Sequence, residues 1–184
     1  MTELPLILEI IERTPRVLAS LLDGVSETWT HAGYDTGERG RGWSAYEVVG
    51  HLVIVEKGNW MPRLRRILRD GETRPFDPFA QESTISLASG RALGSLLEEF
   101  ATARAANLLE LRKYGLTPAD FARTGIHPRL GRVTAGHLLS TWATHDLHHL
   151  RQIGLAMAWQ SRDDVGPWRE FLNTLQRPHV DCGR

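Results

Sequence analysis

Three histidines lie within five positions of one short stretch, THDLHHLRQI, which covers residues 144–153. They are His145, His148 and His149, and the 184-residue chain has eight histidines in all. Imidazole nitrogens bind Zn²⁺ and related divalent ions, and residues three or four apart on an α-helix are neighbours on its surface. If the stretch is helical, it can therefore supply part of a metal site.

The pattern around these histidines favours one of two possible pairs. Spacing alone allows either His145 with His149 or His145 with His148. The pair His145 and His149 shares its helix face with a stripe of mostly apolar or neutral residues, namely Leu138, Trp142, Gln152 and Ala156. Such a stripe is typical of the face that a helix turns towards the interior of a bundle. We therefore predict that His145 and His149 form the pair and that His148 lies at the edge of the stripe.

Two histidines leave the coordination shell incomplete, because catalytic zinc sites commonly use three protein ligands and one exchangeable position. His51 is the best third candidate, since it follows the apolar pair 48–49 in the second predicted helix. His137 is about 12 Å from His145 along the helix axis and is too distant. The spacing still leaves two interpretations open: a metal site, or histidines that are merely hydrogen-bonded in the core or exposed on the surface.

Four long helical patterns would position these residues. They cover approximately residues 3–22, 44–69, 87–114 and 134–159. Pro15 predicts a kink or break in the first helix, and Pro62 predicts a bend in the second because it leaves the carbonyl of Gly58 without its helical donor. Ser44 and Glu47 form a capping-box pattern at the start of the second helix.

The segments between these patterns are rich in Gly, Pro and Asp and show no strand-like alternation of useful length. They are the connectors 24–43, 70–86 and 115–133, and a short closing helix with Pro167 in its first turn follows the fourth helix. The sequence therefore predicts an all-α fold, a four-helix bundle with long connectors and a short C-terminal helix. We expect a single domain over residues 1–176 and a flexible tail at 177–184.

Composition excludes several other classes of protein. Lysines and arginines number 22 and acidic residues also 22, so the net charge gives no bulk attraction to nucleic acid or to anionic membranes. Cys182 is the only cysteine, and therefore no disulfide can form within the chain. The N-terminus does not resemble a signal peptide, and no apolar run is long enough to span a bilayer. We expect a cytoplasmic protein that acts on a small molecule.

Three segments also carry a resemblance to a known family: WSAYEVVGHLVIVEKGNWMPRL, TGIHPRLGRVTAGHLLSTWATHDLHHLRQI and VGPW. Together they resemble the DinB-like, YfiT-related superfamily of bacterial metal-binding four-helix bundle proteins, and the resemblance extends over nearly the whole chain. In that family one histidine of the second helix and an HxxxH pair of a later helix bind a divalent metal. Carried over to this sequence, these ligands are His51, His145 and His149.

The resemblance implies a function that depends on this metal. Zn²⁺ is the first expectation, with Ni²⁺, Fe²⁺ and Mn²⁺ as alternatives, because three imidazoles suit several divalent ions. Some relatives act on low-molecular-weight thiols, so either a hydrolase or a thiol-dependent transferase is implied. A metal-bound water or thiolate would be the reacting group, and Gln152 is a candidate to orient it. The alternative is a metal-binding stress-response or interaction protein without turnover.

Several neighbouring residues are expected to have other roles. Glu56 and Asp146 point away from the three histidines, and Asp146 is predicted to be a surface charge or a partner of Arg151. Trp142 is predicted to form a pocket wall or part of the core. Trp60 lies on a predicted outer helix turn and is a candidate for a dimer face, since such bundles commonly form homodimers.

Overall fold

The computed structural model describes residues 3–35, 40–78 and 89–175. Eight α-helices lie in these ranges: α1 (Leu4–Ile11), α2 (Thr14–Leu22), α3 (Glu27–Thr30), α4 (Ala45–Gly58), α5 (Trp60–Asp70), α6 (Leu93–Lys113), α7 (Pro118–Phe121) and α8 (Ala135–Trp159). Two short antiparallel hairpins accompany them, formed by β1 (Tyr34–Asp35) with β2 (Arg41–Gly42) and by β3 (Thr124–His127) with β4 (Gly131–Thr134). The chain then continues in two 3₁₀ helices, Gly166–Phe171 and Asn173–Leu175. The predicted tail at 177–184, with Cys182, lies outside the described residues.

The long helices form the predicted four-helix bundle, and its all-α class is confirmed. The first helix of the bundle is the broken pair α1–α2 and the second is the broken pair α4–α5. Helix α8 packs against α1, α4 and α5, whereas α6 packs against α2 and α4. Each of the continuous helices α6 and α8 therefore lies between the two broken ones. Within the described ranges, no helix has the length and apolarity needed to cross a membrane.

Both helix breaks occur where proline predicts them. Helix α1 ends at Ile11 and α2 begins at Thr14, immediately before Pro15. The second break falls between Gly58 and Trp60, and Asn59 flanks both helices there. Pro62 has no N–H to give the carbonyl of Gly58, so the hydrogen-bond ladder is interrupted at this point. Beyond this break, α5 packs against α8.

Side-chain caps fix the start of the two helices that carry the histidines. The Ser44 hydroxyl accepts from the Glu47 N–H at 3.2 Å, and the Glu47 carboxylate accepts from the Ser44 N–H at 2.7 Å, which confirms the capping box of α4. At α8, the Thr134 hydroxyl accepts from the His137 N–H at 3.0 Å. The His137 ring accepts in turn from the Thr134 N–H at 3.4 Å, so this histidine has a structural role in the cap.

Two expectations need correction, namely the start of the third bundle helix and the absence of strands from the connectors. The third bundle helix begins at Leu93, and the residues 89–92 before it are not helical; Gly90 has φ of 78°, which helical geometry excludes. The connectors 24–43 and 115–133 contain the two hairpins, whose strands are too short for an alternating pattern to reveal. The predicted closing helix is present as a 3₁₀ helix, with Pro167 in its first turn.

The bundle interior contains two main apolar clusters separated by a buried ion-pair cluster. One apolar cluster joins α1, α5 and the N-terminal half of α8, and the other joins α2, α4 and the N-terminal part of α6. Between them, the Arg104 guanidinium of α6 donates to both carboxylate oxygens of Glu56 at 2.8 and 2.9 Å and to both of Asp146 at 2.7 and 3.0 Å. It also donates to the Ile11 carbonyl at 2.5 Å. Arg104 thus connects all four helices of the bundle.

Candidate metal centre

Helices α4 and α8 bring three histidine side chains together beside the ion-pair cluster. His51 projects from α4, and His145 and His149 project from adjacent turns of α8. The Nε2 atom of His145 lies 3.3 Å from Nε2 of His51 and 3.1 Å from Nε2 of His149. One possible ligand nitrogen from each ring lies within 4.8 Å of the other two. The three residues singled out by the sequence therefore converge on one point.

Gln152 determines which nitrogen of His149 faces this point. Its side-chain oxygen lies 2.8 Å from Nδ1 of His149. An amide oxygen only accepts hydrogen bonds, so Nδ1 must carry the proton and Nε2 keeps its lone pair. The lone pair is directed towards His145, which is the arrangement that a metal ligand requires. Gln152 therefore contacts His149, and its role in orienting a bound water or substrate stays a prediction.

Burial keeps all three imidazoles neutral at physiological pH. It lowers the pKa of His51 to about 4 and that of His149 to about 3. It also lowers the pKa of His145 to about 2, with the neighbouring histidines and Arg104 as further causes. A neutral imidazole binds a metal ion, whereas a protonated one does not. At neutral pH the three imidazoles are therefore unprotonated and their nitrogens can bind a metal ion.

The donor set and its surroundings fit a divalent ion. Three neutral nitrogen donors are the set used by catalytic zinc sites, and they also suit Ni²⁺ and Fe²⁺. Nδ1 of His51 and Nδ1 of His145 are buried and lack a hydrogen-bond partner among the described residues. No protein group there fixes the tautomer of these two rings, so both can direct an Nε2 lone pair to the centre. The residues present therefore fit the metal that the family resemblance implies.

Two tryptophan rings flank the three-histidine site. Trp43, which is partly buried, has its ring centre 5.1 Å from that of His51, and the edge of Trp60 meets His145 at 5.2 Å. Trp142 stacks on Trp60 at 5.7 Å and is fully buried, so it belongs to the core behind the site. The rings restrict the access of water and lower the local polarity, which strengthens electrostatic interactions within the site.

The expectation for Trp60 as a dimer face is wrong, because only 3% of this residue is exposed within a single chain. The helical pattern treats 44–69 as one helix and places Trp60 on its outer side. Beyond the break at Asn59, α5 packs against α8 and Trp60 stacks on Trp142. The prediction of a homodimer consequently loses its support from this residue and depends on the family resemblance alone.

The prediction for Asp146 is also wrong. This carboxylate is fully buried and binds Arg104, and it is neither a surface charge nor a partner of Arg151. Glu56 does point away from the histidines, as expected, and binds the same guanidinium. Sequence reasoning missed Arg104 itself. The signal was a single charged residue in the apolar stripe of the third helix, between Phe100 and Leu108.

His148 does not join the other three histidines. Its ring meets that of His149 edge-on, with 5.1 Å between the ring centres, and the residue is partly exposed. It therefore lies at the edge of the buried stripe, as predicted. His137 caps α8, and His31 stacks on Tyr46 at 4.5 Å, so both have contacts of their own away from the centre.

The fold and the site together define a class of protein: a four-helix bundle in which two helices present three histidines to one buried point. The sequence model of the DinB superfamily matches residues 10–153, and the chain belongs to this superfamily. The family resemblance seen in the sequence is therefore confirmed. A comparison with curated protein sequences finds no match.

A solved structure supports the same fold. The chain is similar to YfiT from Bacillus subtilis, with a TM-score of 0.70 and 17% sequence identity over 90% of this chain and 91% of that chain. YfiT is described as "a probable metal-dependent hydrolase with an unusual four-helix bundle topology". At this level of identity, the similarity establishes the bundle architecture for the present chain.

Proposed function

We propose that this protein is a divalent-metal-dependent hydrolase whose ion is held by His51, His145 and His149. The observation that carries the proposal is the convergence of the three imidazole Nε2 atoms, 3.1 and 3.3 Å apart, in a buried part of a DinB-superfamily bundle. The description of YfiT as a probable metal-dependent hydrolase supports this reaction class. Zn²⁺ is the expected ion, because three neutral nitrogen ligands with an open position are typical of catalytic zinc.

A bound divalent ion would supply Lewis acidity, which lowers the pKa of water and polarises a carbonyl or phosphoryl oxygen. The chain contributes the surroundings. Gln152 holds His149 in the tautomer whose Nε2 lone pair is directed to the centre of the three histidines. Trp43 and Trp60 limit the access of bulk water to the histidines. Glu56 and Asp146 are fully engaged by Arg104, so neither carboxylate is available as a general base.

Thiol transfer is the other reaction that the family resemblance implies, and it would use the same three histidines. In that case a low-molecular-weight thiol would be a substrate. A protein that binds the metal without turnover, in stress response or in interaction with a partner, is the remaining alternative. These possibilities share the metal site and differ in the reaction, so the metal is the first thing to test.

The first experiment measures the metal content of freshly purified protein by mass spectrometry, without a histidine tag or a chelating column. We expect about one divalent ion per chain in the wild type and a loss of the ion in His145→Ala. His148→Ala is the matched control, since it removes the neighbouring imidazole that does not face the centre, and we expect it to retain the ion. Added Zn²⁺ should raise the Tm of the wild type but not of His145→Ala.

A screen of ester, amide and phosphoester hydrolysis and of thiol transfer then tests the reaction, with and without a chelator. Hydrolysis that is lost on chelation and restored by Zn²⁺ supports the proposal. Thiol transfer without hydrolysis would replace the reaction class and leave the site unchanged. If reconstituted wild type binds no ion, or if His145→Ala binds it equally well, the three-histidine site is not a metal site.

A further inference from the structure

A second group of charged and aromatic side chains lies between α5 and the β3–β4 hairpin, outside the three-histidine site. Its members are Arg63 on α5, His127 at the end of β3 and Arg129 in the hairpin turn, and we refer to them as the Arg63 cluster. The guanidinium carbon of Arg63 lies 5.4 Å from the ring centre of Phe76, and the His127 ring meets Phe76 edge-on at 6.2 Å. Phe76 is thus an apolar platform shared by Arg63 and His127.

The backbone holds this platform in place. The Phe76 N–H donates to the Ile126 carbonyl at 2.9 Å, which attaches the loop after α5 to strand β3. Phe76 is buried, with 4% of its surface exposed, and Gly125 of the same strand lies close to its ring. The loop, the hairpin and α5 are therefore fixed relative to one another where the Arg63 cluster lies.

Arg63 differs from the other three arginines of the segment RLRRILR, which covers residues 63–69. Those three arginines each bind a carboxylate, in the pairs Arg65–Glu110, Arg66–Asp77 and Arg69–Asp70. Within residues 3–35, 40–78 and 89–175, no carboxylate forms an ion pair with Arg63. The residue is nevertheless partly buried. Burial lowers the pKa of the Arg63 guanidinium, and no acidic group of the described residues offsets this effect. A partly desolvated charge without a counter-charge costs free energy, which a bound anion would recover.

His127 presents a hydrogen-bond donor in the same region. Its Nδ1 atom accepts from the backbone N–H groups of Arg129 at 3.1 Å and Leu130 at 3.2 Å. In the neutral ring the proton must then be on Nε2, which leaves Nε2–H as a donor. After burial, the positive charges of Arg63 and Arg129 are the causes that lower the pKa of His127, and no carboxylate acts against them. Among the described groups, the charges that act on His127 are therefore positive, and the nearby Asp77 is paired with Arg66.

We propose that the Arg63 cluster is a binding site for a small oxyanion, namely the carboxylate or phosphate group of a small molecule. The planar guanidinium of Arg63 offers two parallel N–H donors, which match the spacing of carboxylate and phosphate oxygens. The Nε2–H of His127 supplies a further donor, and the exposed Arg129 supplies long-range attraction. The site is built from the chain's own side chains and does not depend on a metal at the three histidines.

The test is calorimetric titration of chelator-treated protein with inorganic phosphate and, separately, with succinate, at low ionic strength. Chelation removes any ion from the three histidines, so phosphate cannot bind there. We expect saturable binding of about one anion per chain, and the tighter of the two probes identifies the preferred oxyanion. Arg63→Gln should weaken this binding roughly tenfold or more, since it removes charge-assisted hydrogen bonds. Arg65→Gln is the matched control, because it removes the same charge from the same helix but from an existing ion pair, and should leave affinity within about twofold.

Three results would overturn the proposal. The first is that the wild type binds neither probe saturably. The second is that Arg65→Gln weakens binding as much as Arg63→Gln, which would indicate diffuse positive charge. The third result concerns Glu82, an acidic residue outside the described ranges. If the wild type does not bind the anions but Glu82→Gln does, Glu82 already serves as the counter-charge of Arg63. If Arg63→Gln fails to fold, the exposed Arg129→Gln decides the question, and unchanged affinity in that variant would count against the site.

Discussion

Gln152 is the residue that distinguishes His149 from the other two histidines of the centre. It accepts from Nδ1 of His149, whereas Nδ1 of His51 and of His145 have no partner among the described residues. Hydrogen bonds behind a ligand histidine fix its tautomer and orientation and increase its basicity. The three ligands are therefore not equivalent, and His149 is the one whose lone pair is already aligned.

Replacing Gln152 tests this role at the scale of single residues. Gln152→Leu keeps the approximate volume but removes the acceptor, so we expect the affinity for Zn²⁺ to fall roughly 10- to 100-fold. Gln152→Glu keeps an acceptor at the same place and should retain affinity near that of the wild type. Competition with a fluorescent chelator measures both values, and unfolding curves confirm that the variants are folded. Equal affinity in Gln152→Leu and the wild type would show that Gln152 does not position His149.

The ion-pair cluster around Arg104 is the main polar connection between the helices. One guanidinium from α6 binds the carboxylates of α4 and α8 and the last carbonyl of α1, and it lies 4.8 Å from the ring centre of Phe100. The Asn107 amide also donates to Glu56, at 3.0 Å, so the carboxylate is well satisfied. Because the pairs are buried, removal of one partner leaves charges without solvent or counter-charge. The cluster consequently determines how the four helices fit together.

Arg104→Met tests this connection at the scale of helices. It leaves Glu56 and Asp146 buried without their counter-charge, and we expect the free energy of unfolding to fall by about 3–5 kcal/mol. Arg112→Met is the matched control on the same helix, since its pair with Glu12 is exposed and should contribute less than about 1 kcal/mol. Urea unfolding followed by circular dichroism measures both changes. A similar small change in the two variants would contradict a structural role for the cluster.

The stability of the whole molecule should depend on pH through the three buried histidines. Their pKa values in the folded chain are about 4, 2 and 3 for His51, His145 and His149, against an ordinary value of 6.5. Between pH 6.5 and these values the unfolded chain binds protons that the folded chain does not. The free energy of unfolding of metal-free protein should therefore decrease as the pH falls below 6.5, by up to about 1.4 kcal/mol per pH unit for each histidine. Above that range these groups contribute no pH dependence.

Urea unfolding of chelator-treated protein between pH 5 and 7.5 measures this dependence. His145→Ala is the comparison, because it lacks one of the three depressed groups and should show a smaller slope below pH 6.5. Protons compete with the metal for these nitrogens in the folded protein only near the depressed pKa values, so bound Zn²⁺ should be retained across this pH range. Identical slopes in the wild type and His145→Ala would show that His145 does not remain neutral in the folded protein.

Local patterns in the sequence determined the parts of this protein that depend on neighbours along the chain. The placement of His145 and His149 on one face follows from helical periodicity, and the capping box at Ser44 and the break near Pro62 follow from backbone hydrogen bonding. The three-histidine set could be proposed on this basis, with His51 identified by its place in an apolar helix segment and by the family resemblance. Residues that interact only with their own helix were thus predictable.

Only the tertiary structure decided what lies opposite each helix face. Asp146 is one residue from His145, and periodicity gives its angle on α8 but not the presence of Arg104 from α6. The periodicity of 44–69 places Trp60 on the outer side of the helix, whereas the break at Asn59 and the packing of α5 against α8 bury it. A buried charge needs a counter-charge, and that of Asp146 comes from another helix, which a pattern within one helix cannot reveal. The Arg63 cluster, assembled from a helix and a distant hairpin, is a product of the same long-range packing.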